Sequence, residues 1–367
     1  MNRLPRLRAA LGRARGVVAA EWRHLTTLTA SERPLAMPLA AALATGLPIF
    51  IGAAAGHLGN GLVASLGGLV FLYLPGTPLA HRMAWLMACA FGLVACYTLG
   101  VLSHLYAPLT LPLLTLITIA VTMVCRFYAV PPPGGLFFVM AAAIGAYTPS
   151  SLREAQTHIG LLTMGCVLGV VIAFAYSLLR LRRAPPVPAP PLRPDFDFVV
   201  VDAVVIGAFV GLSLALAQLL QLPRPYWVPV SCLSVIQGVS LRAVWVRQFH
   251  RILGTAAGLA VFGALATLSL GDWGIAALLT LLAFIVETLV VRHYGLAVVF
   301  ITPMTILLAE AAQLGSQPPE ALMMARLVDT VVGCAVGLAG GMCLHNARFR
   351  AVVGAALRKA VPRYSGL

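Results

Sequence analysis

Residues 180–194 read Arg-Leu-Arg-Arg-Ala-Pro-Pro-Val-Pro-Ala-Pro-Pro-Leu-Arg-Pro. Proline at this density cannot form a helix, because each one lacks the N–H that a helix needs. The segment is an extended, semi-rigid linker. It divides two long apolar regions, and each of these falls into six hydrophobic runs. The first set lies near 35–56, 61–74, 83–102, 106–125, 134–148 and 159–179. The second lies near 198–220, 226–238, 252–270, 274–291, 294–311 and 323–345.

The bulk composition agrees with membrane runs. Of 367 residues, 60% are hydrophobic and 10% charged, with a mean hydropathy of +0.94. A soluble domain carries about 25% charged residues, so the soluble and disordered classes are excluded. A spanning helix needs roughly 20 apolar residues. Two runs, 61–74 and 226–238, are too short to cross as straight helices.

The net charge of +14 would suggest nucleic acid in a soluble protein. Its distribution says otherwise. With the N-terminus in the cytoplasm, Arg3, Arg6, Arg8, Arg13, Arg15, Arg23 and Arg33 fall inside. So do Arg82, Arg126, Arg180, Arg182, Arg183, Arg193, Arg242, Arg247, Arg251 and Arg292, and the tail residues Arg348, Arg350, Arg358, Lys359 and Arg363. Only Arg153, Arg224 and Arg326 fall elsewhere. This is the positive-inside pattern. It predicts an all-α polytopic protein with about twelve transmembrane helices, both termini cytoplasmic, and no nucleic-acid partner.

The division predicted is a basic amphipathic segment at 1–34, a first six-span repeat at 35–180, the linker at 181–197, a second repeat at 198–345 and a basic tail at 346–367. Short matches recur in the same order in both halves. His81-Arg82 corresponds to His250-Arg251, Gly134-Gly135-Leu136 to Tyr294-Gly295-Leu296, and Gly165-Cys166-x-x-Gly169 to Gly333-Cys334-x-x-Gly337. Six is an even number, so the repeats insert the same way up, related by an axis along the membrane normal.

Several chemistries are absent. The only lysine is Lys359, so there is no phosphate-binding Walker loop. The seven cysteines form no CxxC pair and read as small buried hydrophobes. No cofactor or metal site is expected. Gly211-Leu-Ser213 has the look of an intramembrane protease fragment, with His250 or His293 as a conceivable base. Such a fragment arises readily by chance in an apolar helix.

Candidate functional residues lie mostly in the second half. The short run Tyr226-Trp227-x-Pro229-x-Ser231-Cys232-x-Ser234-x-x-Gln237 mixes an aromatic pair, prolines, hydroxyls and an amide. A broken span leaves backbone groups unpaired at membrane depth, which is tolerable only beside a cavity. The simpler reading is an interfacial aromatic belt on a tilted helix. Arg251 stands at the cytoplasmic mouth of the ninth run, one turn before Gly254 and Gly258. It could receive an anion or merely anchor the helix. Thr302-Pro303 breaks the eleventh run as a cavity wall or a simple kink. Glu287, Asp202 and Asp329 are acids at or near membrane depth, where ionisable residues mark function by default. Asp202 also fits an interfacial helix start, and Asp329 also fits an i,i+3 pair with Arg326.

The second half resembles the fusaric acid resistance and aromatic acid exporter family of bacterial inner-membrane proteins. The resemblance rests on Tyr226-Trp227-x-Pro229, Gln237, Arg251-x-x-Gly254-Thr255-x-x-Gly258, Phe300-x-Thr302-Pro303 and Arg326-x-x-Asp329-Thr330-x-x-Gly333. It implies proton-driven export of small aromatic carboxylates or related toxic compounds. In that reading Arg251 attracts the carboxylate, and Tyr226, Trp227 and Gln237 line an aromatic slot. Thr302 and Pro303 shape the cavity. Glu287 carries the coupling proton, with Asp202, Asp329 and Arg326 as further coupling groups. The partners implied are the organic anion, the lipid bilayer, a periplasmic adaptor of the membrane-fusion type and a second copy of the chain. The rival expectation is a membrane scaffold or assembly factor for the cell envelope.

Overall fold

The computed structural model describes residues 29–31, 33–104, 106–147, 151–182, 185–189, 191–192, 195–310 and 318–360. Among these the chain is helical throughout, with no strand. A chain with apolar runs on this scale must satisfy its backbone within each segment, and helices do so.

The helices are α1 Ala36–Ala54, α2 Leu58–Gly68 with a 3-10 extension Leu69–Tyr73, α3 Leu79–His104, α4 Thr110–Phe127, α5 Leu136–Tyr147 and α6 Leu152–Leu181. A π-helical turn Asp197–Val201 then leads into α7 Asp202–Leu219. There follow α8 Trp227–Ile236, α9 Leu241–Ala266, α10 Asp272–Leu289, α11 Tyr294–Glu310, α12 Pro319–Leu344 and α13 Ala347–Ala360.

Eight of these segments are long and apolar enough to cross a membrane, so the protein is polytopic. Four apolar helices are shorter: Leu58–Tyr73, Leu136–Tyr147, Trp227–Ile236 and Tyr294–Ala309. At 1.5 Å per residue, the ten residues of α8 reach about half of a 30 Å bilayer. The twelve expected crossings therefore become eight full-length helices and four short ones. Two of the short ones were legible as short runs; α5 and α11 were not.

Boundaries also moved. α9 begins at Leu241, where Ser240 caps it by accepting from the Ala243 amide at 3.1 Å. Hydropathy alone had excluded its arginine-bearing first turns. Arg251 is consequently about 15 Å along α9, and not at its mouth. Likewise Arg82 is the fourth residue of α3 whereas Arg251 is the eleventh of α9, so the two His-Arg pairs are out of step.

The linker is non-helical where described and is tied back by the Val187 amide, which donates to the Gly76 carbonyl at 2.9 Å. The basic segment 1–34 lies outside the described residues except for 29–31, 33 and 34. In the basic tail, α13 is a helix clamped onto the start of α7. Arg358 reaches Asp197 at 2.6 Å and Arg350 reaches Asp202 at 3.0 Å.

Packing partners repeat across the halves. In the first, α3 packs on α5, α2 on α6, and α1 on α2 and α6; in the second, α9 packs on α11, α8 on α12, and α7 on α8 and α12. Three helix pairs cross between halves: α1 lies on α10, α7 on α4, and α5 on α8. Gly165 backs onto the Ala64 carbonyl of α2, and Gly333 onto the Val228 carbonyl of α8. A side chain at either glycine would strike that carbonyl.

Candidate functional site

α8 is buried along its whole length. Its entry is aromatic, and its body carries Ser231, Cys232 and Ser234. α12 runs alongside it in parallel, with Trp227 beside Arg326, Ser231 beside Gly333 and Cys232 beside Gly337. The small residues of α12 let the helices approach closely. This buries two charges in the same seam. Arg326 is 3% exposed and Asp329 is 0% exposed.

The Arg326 guanidinium lies 3.8 Å over the Trp227 ring. One of its nitrogens, Nη2, donates to Thr305 Oγ1 at 3.3 Å. Nε and Nη1 have no hydrogen-bond partner, nor does either carboxylate oxygen of Asp329. Arg251 is 5% exposed on α9, within electrostatic reach of Arg326, and its Nε is also unpartnered. Ser231 Oγ completes the set of unsatisfied atoms along this seam. Desolvating a single charge costs several kcal/mol unless it is paired and hydrogen-bonded. Two buried cations and one buried anion, all with open hydrogen-bonding positions, therefore form a cage that a polar ligand would complete.

The other expected residues fall elsewhere. Gln237 closes the far end of α8, about 15 Å from Trp227, where it faces the turn Gly134–Gly135 before α5. The expected slot of Tyr226, Trp227 and Gln237 is thus split by the length of α8. Tyr226 stacks at 5.2 Å on Trp227 and at 6.1 Å on Tyr147.

Thr302 is buried and donates to the Val298 carbonyl at 2.9 Å. Pro303 has no N–H for the Val299 carbonyl, and that carbonyl meets Gly258 of α9. Glu287 lines an apolar cavity of about 50 Å³ bounded by α1, α2, α10 and α11, with Thr45 and Ser65 as its other polar walls. Asp202 is held in ion pairs by Arg126 at 2.6 Å and Arg350 at 3.0 Å. The four expected coupling residues therefore occupy three separate places. Ser213 donates to the Val210 carbonyl at 2.7 Å, and Gly211 packs against Thr115. Among the described residues no group of three His, Cys, Asp or Glu side chains could hold a metal.

Residues 204–340 match the family model described as fusaric acid resistance protein-like. The second half is thus similar to the fusaric acid resistance protein-like family. That match encloses α8, α9, α11 and α12, and so the whole cage. The chain is 32% identical over 156 residues to the "Uncharacterized membrane protein YvaC" of Bacillus subtilis, covering 42% of this chain and 25% of that protein. It is 30% identical over 134 residues to the "Uncharacterized protein slr1298" of Synechocystis, covering 36% of this chain and 17% of that one. It thus spans a quarter or less of the length of these relatives. No solved structure matches the chain.

Proposed function

We propose that this protein is a secondary transporter that exports small organic anions, aromatic carboxylates foremost, across the bacterial inner membrane. In this reading the twelve apolar helices form two parallel repeats with both termini cytoplasmic. The matching helix partners in the two halves and the one-sided basic residues support that arrangement.

The observation that carries the functional reading is the cage of Arg251, Arg326 and Asp329. Arginine stays charged in a protein and presents its donors in a planar fork that suits a carboxylate. The open Nε and Nη1 of Arg326 lie on the two different edges of the fork, each beside Nη2, and a carboxylate engages the fork along one such edge. Trp227 and Tyr226 add aromatic surface at the same end of α8. The family's printed description, resistance to an aromatic acid, agrees with that chemistry. Protonatable groups for coupling are Asp329 inside the cage and Glu287 in its own cavity.

The test is flux of benzoate from liposomes containing the purified full chain. Arg251→Gln is expected to lower it at least tenfold while the protein remains monodisperse. Unchanged flux in that variant would refute the cage as the transport site.

A further inference from the structure

We infer that Asp329 is the protonation partner of the bound anion, so that anion and proton bind the cage cooperatively. This rests on the reading of the cage as an anion site.

The charge count sets the sign. The cage holds two permanent cations, Arg251 and Arg326, and one carboxylate that can be neutralised. With Asp329 ionised the sum is one positive charge; with Asp329 protonated it is two. The protonated cage attracts an anion more strongly. A bound anion, in turn, adds negative charge beside Asp329 and favours its proton. These two statements are one coupling free energy seen from both sides.

Geometry points the same way. Asp329 follows Arg326 by three residues on one face of α12, so it competes with an incoming anion for the same guanidinium. No hydrogen bond holds either carboxylate oxygen. Once an anion occupies an open edge of the Arg326 guanidinium, that cation no longer compensates the carboxylate alone. It then stays buried at lowest cost by taking a proton from solvent on one of its two oxygens, neither of which has a donor.

The other groups facing this region do not reverse that sign. α9 contributes Arg251, and the turn before α8 contributes Arg224, whose charge acts on Asp329. α11 contributes the hydroxyl of Thr305. The one acid of α7, Asp202, is already held by Arg126 and Arg350. Glu287 lines the separate cavity between α1, α2, α10 and α11.

The experiment measures binding of benzenesulfonate to the detergent-purified full chain between pH 5 and 8. This probe is ionised throughout, so any pH dependence belongs to the protein. The expected result is affinity that strengthens as pH falls, by up to about tenfold per pH unit for one linked proton. Asp329→Asn, which keeps the shape of the protonated acid, should bind tightly and without pH dependence. Asp329→Glu should restore the dependence and shows whether a carboxylate fits there. The wild-type pH profile persisting in Asp329→Asn, or affinity strengthening as pH rises, would overturn the inference. Arg326→Gln separates the two levels. If it binds as well as wild type, the anion site itself is wrong. If it loses binding while Asp329→Asn keeps the wild-type profile, only the proton linkage is wrong.

Discussion

The two halves share a scaffold and differ in what they bury. Gly46 of α1 backs onto Thr280 of α10, and Gly211 of α7 backs onto Thr115 of α4. In both places the threonine hydroxyl is the atom nearest the glycine, and it donates at 2.8 Å to a carbonyl four residues earlier. Both residues of the second contact stand at one constant interval from their counterparts in the first. The buried charges do not repeat. Seven residues before Gly333 stands Arg326; seven before Gly165 stands His158. Four before Gly333 stands Asp329; four before Gly165 stands Leu161. Trp227 precedes the residue whose carbonyl meets Gly333, whereas Val63 precedes the one that meets Gly165. The buried arginine of the first half, Arg82, is anchored by the Thr77 carbonyl at 2.5 Å. The cage arginines have open donors. The helix partners recur in both halves, whereas the unsatisfied buried atoms of Arg251, Arg326 and Asp329 all lie in the second.

That contrast can be broken most sharply at its charged end. Arg326→Leu removes one cation and leaves Asp329 uncompensated, a change of the kind that costs about 3–5 kcal/mol when one partner of a buried pair is lost. Benzoate flux in liposomes should fall about a hundredfold. His158→Leu, at the corresponding place of the first half, should change flux less than twofold. A comparable loss in both variants would mean that the halves carry the chemistry jointly.

The shared scaffold can be tested next. Gly46→Val and Gly211→Val each drive a branched side chain into a threonine on the opposite half. Overpacking of this kind costs about 1–3 kcal/mol. The two variants should lower the thermal midpoint in detergent by similar amounts. One falling sharply while the other stays put would show that the crossed contacts are not equivalent.

Different physical signals made different parts of this molecule legible in its sequence. Membrane residence, helical class and the central break follow from composition and proline density, which act over many residues and survive local error. The Gly-Cys-x-x-Gly pair was also readable, because a close helix approach demands small residues at fixed spacing. The shortness of α5 was hidden, since Phe137 to Tyr147 is as apolar as any spanning helix. The depth of Arg251 was misread because hydropathy rejects the charged first turns of α9, although they are helical. The link between Arg326 and Trp227 joins residues about a hundred positions apart, and no local pattern encodes it. The sequence reading places Arg326 among coupling groups; its open donors appear only when α8 is laid against α12.

Pro48 inside α1 and Pro303 inside α11 carry the comparison to single atoms. Pro48 in α1 leaves the Ala44 carbonyl without its helical donor, and that carbonyl meets Gly68 of the next helix. Pro303 in α11 leaves Val299 in the same state, and that carbonyl meets Gly258 of α9. In both cases a glycine lets the neighbouring backbone approach an oxygen the proline has freed, where a weak Cα–H contact can partly satisfy it. Pro303→Ala restores an N–H for Val299 and should move stability by no more than about 1 kcal/mol. Its informative effect is on the neighbour. With the carbonyl drawn back into its own helix, Gly258→Ala should cost less in the Pro303→Ala background than in the wild type. The expected coupling is about 0.5–1 kcal/mol in a double-mutant cycle read by thermal unfolding. The cycle of Pro48→Ala with Gly68→Ala should give the same sign. Additivity in one cycle and coupling in the other would confine the device to a single half, and the likeness of the halves would then stop at the crossed glycine contacts.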